Sequence, residues 1–278
     1  MTTLSVNTNP GAMIALQNLN KTNMQLEQTQ SRINTGLEVA GAKDNGGIYA
    51  IAQRMRSQVS GYGAVTDSIN RAISTVDVAL AAGEAISDLI IEMKEKALAA
   101  ADSSLDTASR TALNEDFQAL RDQVKTIVAN AEFNGTNLLN NSVASITALA
   151  NADGSNTITV NDENFVLGAT GSLITIASNA SYSTATQADN IASQLGTSLD
   201  NVNAALARLG TESKALGIHQ TFVTKLTDAL ETGIGNLVDA DLAKESARLQ
   251  SLQVKQQLGI QALGIANQRP QAILSFFQ

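Results

Sequence analysis

Residues 195–237 read LGTSLDNVNAALARLGTESKALGIHQTFVTKLTDALETGIGNL, and their spacing decides the fold. Leu195, Val202, Leu209, Leu216, Val223, Leu230 and Leu237 stand seven residues apart in one unbroken register. Hydrophobic residues make up 44% of the chain, so chance would rarely fill every such position in succession. A sevenfold repeat keeps one seam of an α-helix turned toward a partner helix. The spacing predicts a long helix over 186–237 with this seam buried, weakened near its end by Gly233 and Gly235.

Toward the N-terminus the same grammar returns. A helix is predicted from about Gly47 to Ala101. Met55, Tyr62, Ile69, Val76, Ile90 and Ala97 share one register, with Gly83 as its gap. Val65, Ala72, Ala79, Ile86 and Met93 supply the second row of the seam. Such a helix would be roughly 80 Å long, too long for a compact domain and suited to a rod. Asp102–Asp106 marks a turn, with Asp106 placed to cap the next helix. Leu113, Leu120 and Ile127 form one row of that helix, and Phe117, Val124 and Ala131 the other. It should end near Asn130–Asn134, at the turn Phe133-Asn134-Gly135.

Residues 136–185 change character, being rich in Ser, Thr, Asn and Gly. Alternating runs at Thr157–Val160, Asn164–Leu167 and Ser172–Ala177 predict two or three short strands. A segment this small cannot build its own core, so it packs on the helices or forms a surface hairpin.

Both ends are apolar and nearly uncharged. The first 31 residues carry only Lys21 and Glu27, and the 33 residues after Glu245 carry only Arg248, Lys255 and Arg269. A helix from Gly11 to about Ile33 would present Leu19, Leu26 and Ile33, with Leu16 and Leu37 beside them. Glycines 36, 41, 46 and 47 then predict a broken linker. A last helix, roughly Asp239 to Asn267, carries Leu242, Leu249, Leu252, Leu258 and Leu263. Helices with an apolar stripe and so little charge need partner helices to hold their fold. The two ends are expected to pair with each other and with other copies of the chain.

The expected fold is therefore mainly α. It is an elongated helical coiled-coil rod formed by the N- and C-terminal segments together, with a small β-hairpin insert in the middle. Residues 1–42 and 238–278 would make an inner terminal pair, 43–140 and 186–237 a central bundle, and 141–185 the insert.

Composition narrows the function. A net charge of −8 disfavours a basic stripe for nucleic acid. Cysteine is absent, which excludes disulfides and cysteine metal sites. His219 is the only histidine, so it has no partner for a zinc site or a Ser-His pair and reads as an ordinary helix-surface residue. Glu92 with Lys96, and Asp241 with Lys244, read as solvated helical charge pairs. No secretory leader and no membrane span is expected, since no segment reaches the ~18–20 apolar residues a span needs. No catalytic residue, cofactor or metal is expected.

At this point particular residues resemble the bacterial flagellin family. Ile33-Asn34-Thr35-Gly36 followed by Ala42-Lys43-Asp44-Asn45 is similar to that family's N-terminal signature, with Asn45 replacing a second acid. Phe133-Asn134-Gly135 resembles its turn after the third helix. Ala266-Asn267-Gln268-Arg269-Pro270-Gln271 with Leu274 resembles its C-terminal ending, although Phe276-Phe277-Gln278 departs from it. The resemblance covers about 1–140 and 186–278, and the wording is closest to alphaproteobacterial members.

The resemblance implies a structural subunit that polymerises into the extracellular flagellar filament and serves swimming motility. It implies export of the unfolded chain through the flagellar type III apparatus and a chaperone on the C-terminal segment around 239–278. It implies other flagellin subunits, the filament cap and junction proteins as partners, with no nucleic acid and no membrane. The alternative with similar ends is the hook–filament junction protein, which would usually lack so full a match at Ala-Asn-Gln-x-Pro-Gln.

Overall fold

The structure is a computed structural model that describes the backbone of residues 8–274 and the side chains of 8–268. In chain order the elements are α1 Pro10–Thr35, α2 Gly46–Ala100, α3 Thr107–Asn130, β1 Glu132–Phe133, β2 Thr136–Asn137, β3 Ser145–Leu149, β4 Thr157–Asn161, α4 Ala185–Val238 and α5 Leu242–Leu274. The fold is mainly α, with two small antiparallel hairpins, β1–β2 and β3–β4. The expected ending near Asn267 falls short of α5, which runs on through Pro270. The chain divides into two compact units: one contains residues 58–228, the other the flanking residues up to 57 and from 229 on.

The 58–228 unit is built on the heptads. Val65, Ile69, Ala72, Val76, Ala79, Ile86, Ile90, Met93 and Ala97 of α2 are buried, as are Phe117, Val124 and Val128 of α3. Leu195, Val202, Leu209, Leu216 and Val223 of α4 are fully buried. The gap at Gly83 has a partner: a Cβ there would stand 2.6 Å from Cδ2 of Leu206, so the missing side chain is what admits that leucine. Asp106 caps α3 as its position predicts, its Oδ1 accepting from the Ser109 N–H at 2.9 Å. Arg110 closes the end of α2 by donating to the carbonyls of Ala100 and Asp102, each at 2.9 Å. Lys96 pairs with Asp116 of α3 at 2.9 Å, not with Glu92, because the lysine reaches across to the neighbouring helix.

The middle segment is where sequence and structure part. β4 falls where Thr157–Val160 predicts a strand, and it pairs with β3, Ser145↔Asn161 through Leu149↔Thr157. Asn164–Leu167 and Ser172–Ala177 are not strands. Their alternation is real, since Phe165, Leu167, Ile174 and Ile176 are buried. Their backbone bonds, however, go to other partners: Phe165 N–H to Leu139 O at 2.8 Å, and Thr175 N–H to Ser198 Oγ on α4 at 2.9 Å. The chain is laid on the helices, with left-handed Gly168 and Gly171 between the two runs. Arg208 of α4 holds the adjoining Glu163 through two hydrogen bonds of 2.6 and 2.7 Å. The segment thus packs on the helices and completes their core, with the β3–β4 hairpin within it.

Gly233 and Gly235 lie within α4, which continues to Val238. Both glycines sit at close approaches. A Cβ on Gly233 would lie 3.0 Å from Cε of Met55, and one on Gly235 would lie 2.7 Å from a carboxylate oxygen of Asp239. The break falls at 239–241, where Asp241 caps α5 through the N–H groups of Ala243 and Lys244 at 3.0 and 3.1 Å. Asp241 is therefore a cap and not the partner of Lys244.

Candidate assembly site

In the terminal unit α1 and α5 pack antiparallel. Asn9 Nδ2 donates to Ala266 O at 2.7 Å, Gln256 Nε2 to Asn23 Oδ1 at 2.8 Å, and Arg32 Nη1 to Glu245 Oε1 at 3.0 Å. Residue numbers rise along one helix as they fall along the other. Gly259 lets the helices close, since a Cβ there would sit 3.3 Å from Cδ1 of Leu19. Of the leucines and isoleucine expected in this seam, Leu252 is buried, and Leu19, Leu26, Ile33, Leu249 and Leu263 are half-buried. Leu16 and Leu242 lie outside the seam, about half-exposed, because they point past its edge. In the other expected seam Leu230 is half-buried and Leu237 exposed, while the five preceding positions are sealed.

The ends of the pair are fixed by local chemistry. Asn9 caps α1, its Oδ1 accepting from the Ala12 N–H at 3.2 Å, and Pro10 supplies a preset first turn. Gly36 closes α1 in the left-handed conformation, φ 71°, with its N–H on Arg32 O. Leu37 and Asp239 then form a β-bridge, and the Val238 carbonyl accepts from the N–H groups of Glu38 and Val39. The signature turn has a mechanical reading. The Asp44 carboxylate accepts from the N–H groups of Ala40 and Gly41, and Asn45 Oδ1 accepts from the Ile48 N–H in the first turn of α2. Lys43 is exposed. Asn134 and Gly135, with φ of 51° and 77°, form the two-residue loop of β1–β2.

The feature that spacing alone does not disclose is the ion pair. Glu245 is 7% exposed at its side chain and Arg32 18%, in a helix pair otherwise nearly free of charge. Glu38 and Arg248 stand at 3.8 Å as outer partners. Arg32 Nε and Glu245 Oε2 are buried with no hydrogen-bond partner. The two acids and two bases were visible in sequence, but no helical spacing links residues 32 and 245.

Away from the seam the pair is apolar and open. Met13, Ile14 and Met24 of α1, and Val254, Leu258, Ile260 and Ile265 of α5, are each more than half-exposed. Two clefts of about 200 and 310 Å³ lie in the 58–228 unit, the first lined by Ser68, Arg71 and Thr75 among others, the second by Lys125, Asn140 and Ser178. His219 meets Ala150 O at 2.8 Å. Among the described residues no acid and histidine cluster could hold a metal ion, and no helix is long and apolar enough to cross a membrane.

The family models place the chain. The bacterial flagellin N-terminal helical region matches residues 6–144, and the bacterial flagellin C-terminal helical region matches 192–277. The chain belongs to the flagellin family. It is 53% identical over 274 residues to flagellin FljK of Caulobacter vibrioides, covering 99% of this chain and 98% of that one. A flagellin of Brucella melitensis is 35% identical over 284 residues, covering 99% of both. Among solved structures, one from Vibrio parahaemolyticus described as a flagellar hook-associated protein aligns with a TM-score of 0.57. That match covers 70% of this chain and all of that one, and at 13% identity it speaks to the fold alone. A flagellin is a structural subunit of the flagellar filament and not an enzyme, and the full-length identity to flagellins disfavours the hook–filament junction alternative.

Proposed function

We propose that this flagellin polymerises through its terminal helix pair, so that α1 and α5 order as the extracellular filament forms. The observation that carries the reading is the open apolar surface on both helices of that pair. Two helices cannot bury it between themselves, and an apolar face of this kind calls for further helices. In a free monomer the ordering entropy of α1 and α5 is poorly offset, so folding is coupled to assembly and depends on protomer concentration. A head-to-tail contact whose rotation does not close then builds a helical filament. The 58–228 unit, with its sealed core, folds in the monomer.

Disorder of the ends before assembly suits export of the unfolded chain through the flagellar type III apparatus. A chaperone that covers the apolar residues of 239–278 would keep them from premature association. Filament cap and junction proteins complete the partners, and the finished filament serves motility. Truncation tests the central step. Chains lacking 1–32 or 249–278 are expected to be soluble, helical and unable to polymerise, as read by negative-stain electron microscopy after return from acid to neutral pH with short filament seeds. Seeded filaments from either truncated chain would contradict the reading.

A further inference from the structure

The seam between α1 and α5 has a repeat, and a repeat has a weakness. Leu19, Leu26 and Ile33 recur every seven residues, and Leu249, Leu252, Gly259 and Leu263 of α5 offer them a run of small or apolar partners. Sliding one helix by seven residues would again set apolar groups against apolar groups. The backbone bridge at Leu37 and Asp239 reads no side chain. Something else must choose the register.

Two polar contacts at opposite ends of the pair have the required specificity. The first involves Pro270. It lies inside α5 and has no N–H to give to the carbonyl four residues back, which is that of Ala266. That carbonyl is the one Asn9 Nδ2 reaches, at 2.7 Å. Any slip would leave it without this donor. The second contact is Arg32 on Glu245. Glu245 is more than nine-tenths buried, and a slip would set its carboxylate among apolar side chains. A slip of one heptad would bring Gln25 or Val39 to the place of Arg32, and neither carries a positive charge.

We propose that these two latches, Asn9 on the carbonyl that Pro270 leaves free and Arg32 on Glu245, set the register of the terminal pair. The apolar seam supplies adhesion without register, and the exchangeable amide contact in its middle, Gln256 on Asn23, adds little, since a slip of one heptad can offer Gln256 the amide of Gln30 instead. The inference rests on the reading that α1 and α5 pair within the filament. It makes Asn9, Arg32, Glu245 and Pro270 positioning residues for assembly.

The chain has no cysteine, so engineered disulfides report register without background. A Cβ on Gly259 would lie 3.8 Å from Cβ of Leu19, the usual separation across a disulfide. Gly259→Cys is combined with Leu19→Cys for the native register, and with Ala12→Cys or Leu26→Cys for slips of one heptad. Filaments of full-length chains are oxidised, and intrachain bridges are quantified by peptide mapping. In the unsubstituted background the Leu19 bridge should dominate by at least about tenfold. Asn9→Asp keeps the oxygen that caps α1 but removes the donor, and should raise the slipped bridges about fivefold. In a Pro270→Ala background, where residue 270 again supplies an N–H, the same substitution should have under about a twofold effect. Replacing Arg32 and Glu245 together by Met should also raise the slipped bridges, and exchanging them (Arg32→Glu with Glu245→Arg) should restore the native one.

Native bridging that stays dominant in both the Asn9→Asp and the Met–Met chains would overturn the proposal, leaving register to the seam. If the Met–Met chain does not polymerise, the exchanged pair decides, since failure to recover assembly and the native bridge would equally overturn it. Filaments of the unsubstituted chain with no Leu19 bridge at all would contradict the pairing of α1 with α5 itself.

Discussion

At the scale of single residues, polar groups in the 58–228 unit are spent on fastening loops to helices. Tyr182 shows how. Its hydroxyl donates to the Leu113 carbonyl at 2.9 Å, its N–H to Asn114 Oδ1 at 2.8 Å, and its ring lies 5.3 Å from that of Phe117. Burial first, and the Asp116 carboxylate second, push its pKa up to about 12, so it remains a neutral donor at physiological pH. Asp162 is the opposite case. Its Oδ2 is buried without a hydrogen-bond partner. Burial, then the neighbouring Glu163, raise its pKa above the ordinary carboxylate value, with the Asn141 N–H partly offsetting them.

An acid whose pKa is raised by folding costs stability when ionised, and the cost disappears as pH falls through the folded pKa. Asp162→Asn should therefore stabilise the unit at neutral pH, by up to roughly 0.5 kcal/mol. The gain should shrink toward zero as pH is lowered through the carboxylate range. Thermal melts of both chains across that range check this. A gain that persists at acid pH would mean the charge is not the cause.

At the scale of elements, the helices were legible because each seam repeats a pattern set by helical geometry. Leu195, Val202, Leu209, Leu216 and Val223 could be assigned to the core from spacing alone, and they are sealed. The same register read too far at its end: Leu237 is exposed while Ile234 and Val238 are buried, because the buried stripe of a straight helix drifts from a strict heptad. Alternation in Asn164–Leu167 and Ser172–Ala177 gave burial correctly and pairing wrongly. An extended chain lying on helices buries every second residue just as a strand does. The antiparallel partner of β4, Ser145–Leu149, carries mostly small or hydroxyl side chains and gave no such signal. The Arg32–Glu245 contact could not be read at all, since it depends on how two distant helices meet. Leu209→Ala should cost about 2–5 kcal/mol, while Leu237→Ala should fall within roughly 0.5 kcal/mol. Urea unfolding of the isolated monomer, followed by circular dichroism, would show the contrast as a lower midpoint for the first chain only.

At the scale of the whole molecule, the two compact units divide the labour. The 58–228 unit has a core of large fully buried side chains such as Phe117, Phe165, Leu195 and Leu209. The terminal unit buries little by comparison, and its longest helices, α1 and α5, keep an apolar face open. That difference is why assembly is assigned to the termini. Amide hydrogen exchange on monomer and filament tests the assignment most directly. Amides of α1 and α5 should exchange freely in the monomer and become protected by several orders of magnitude in the filament, while those of the 58–228 core are protected in both. Equal protection of α1 and α5 in the free monomer would contradict folding on assembly, and with it the central claim.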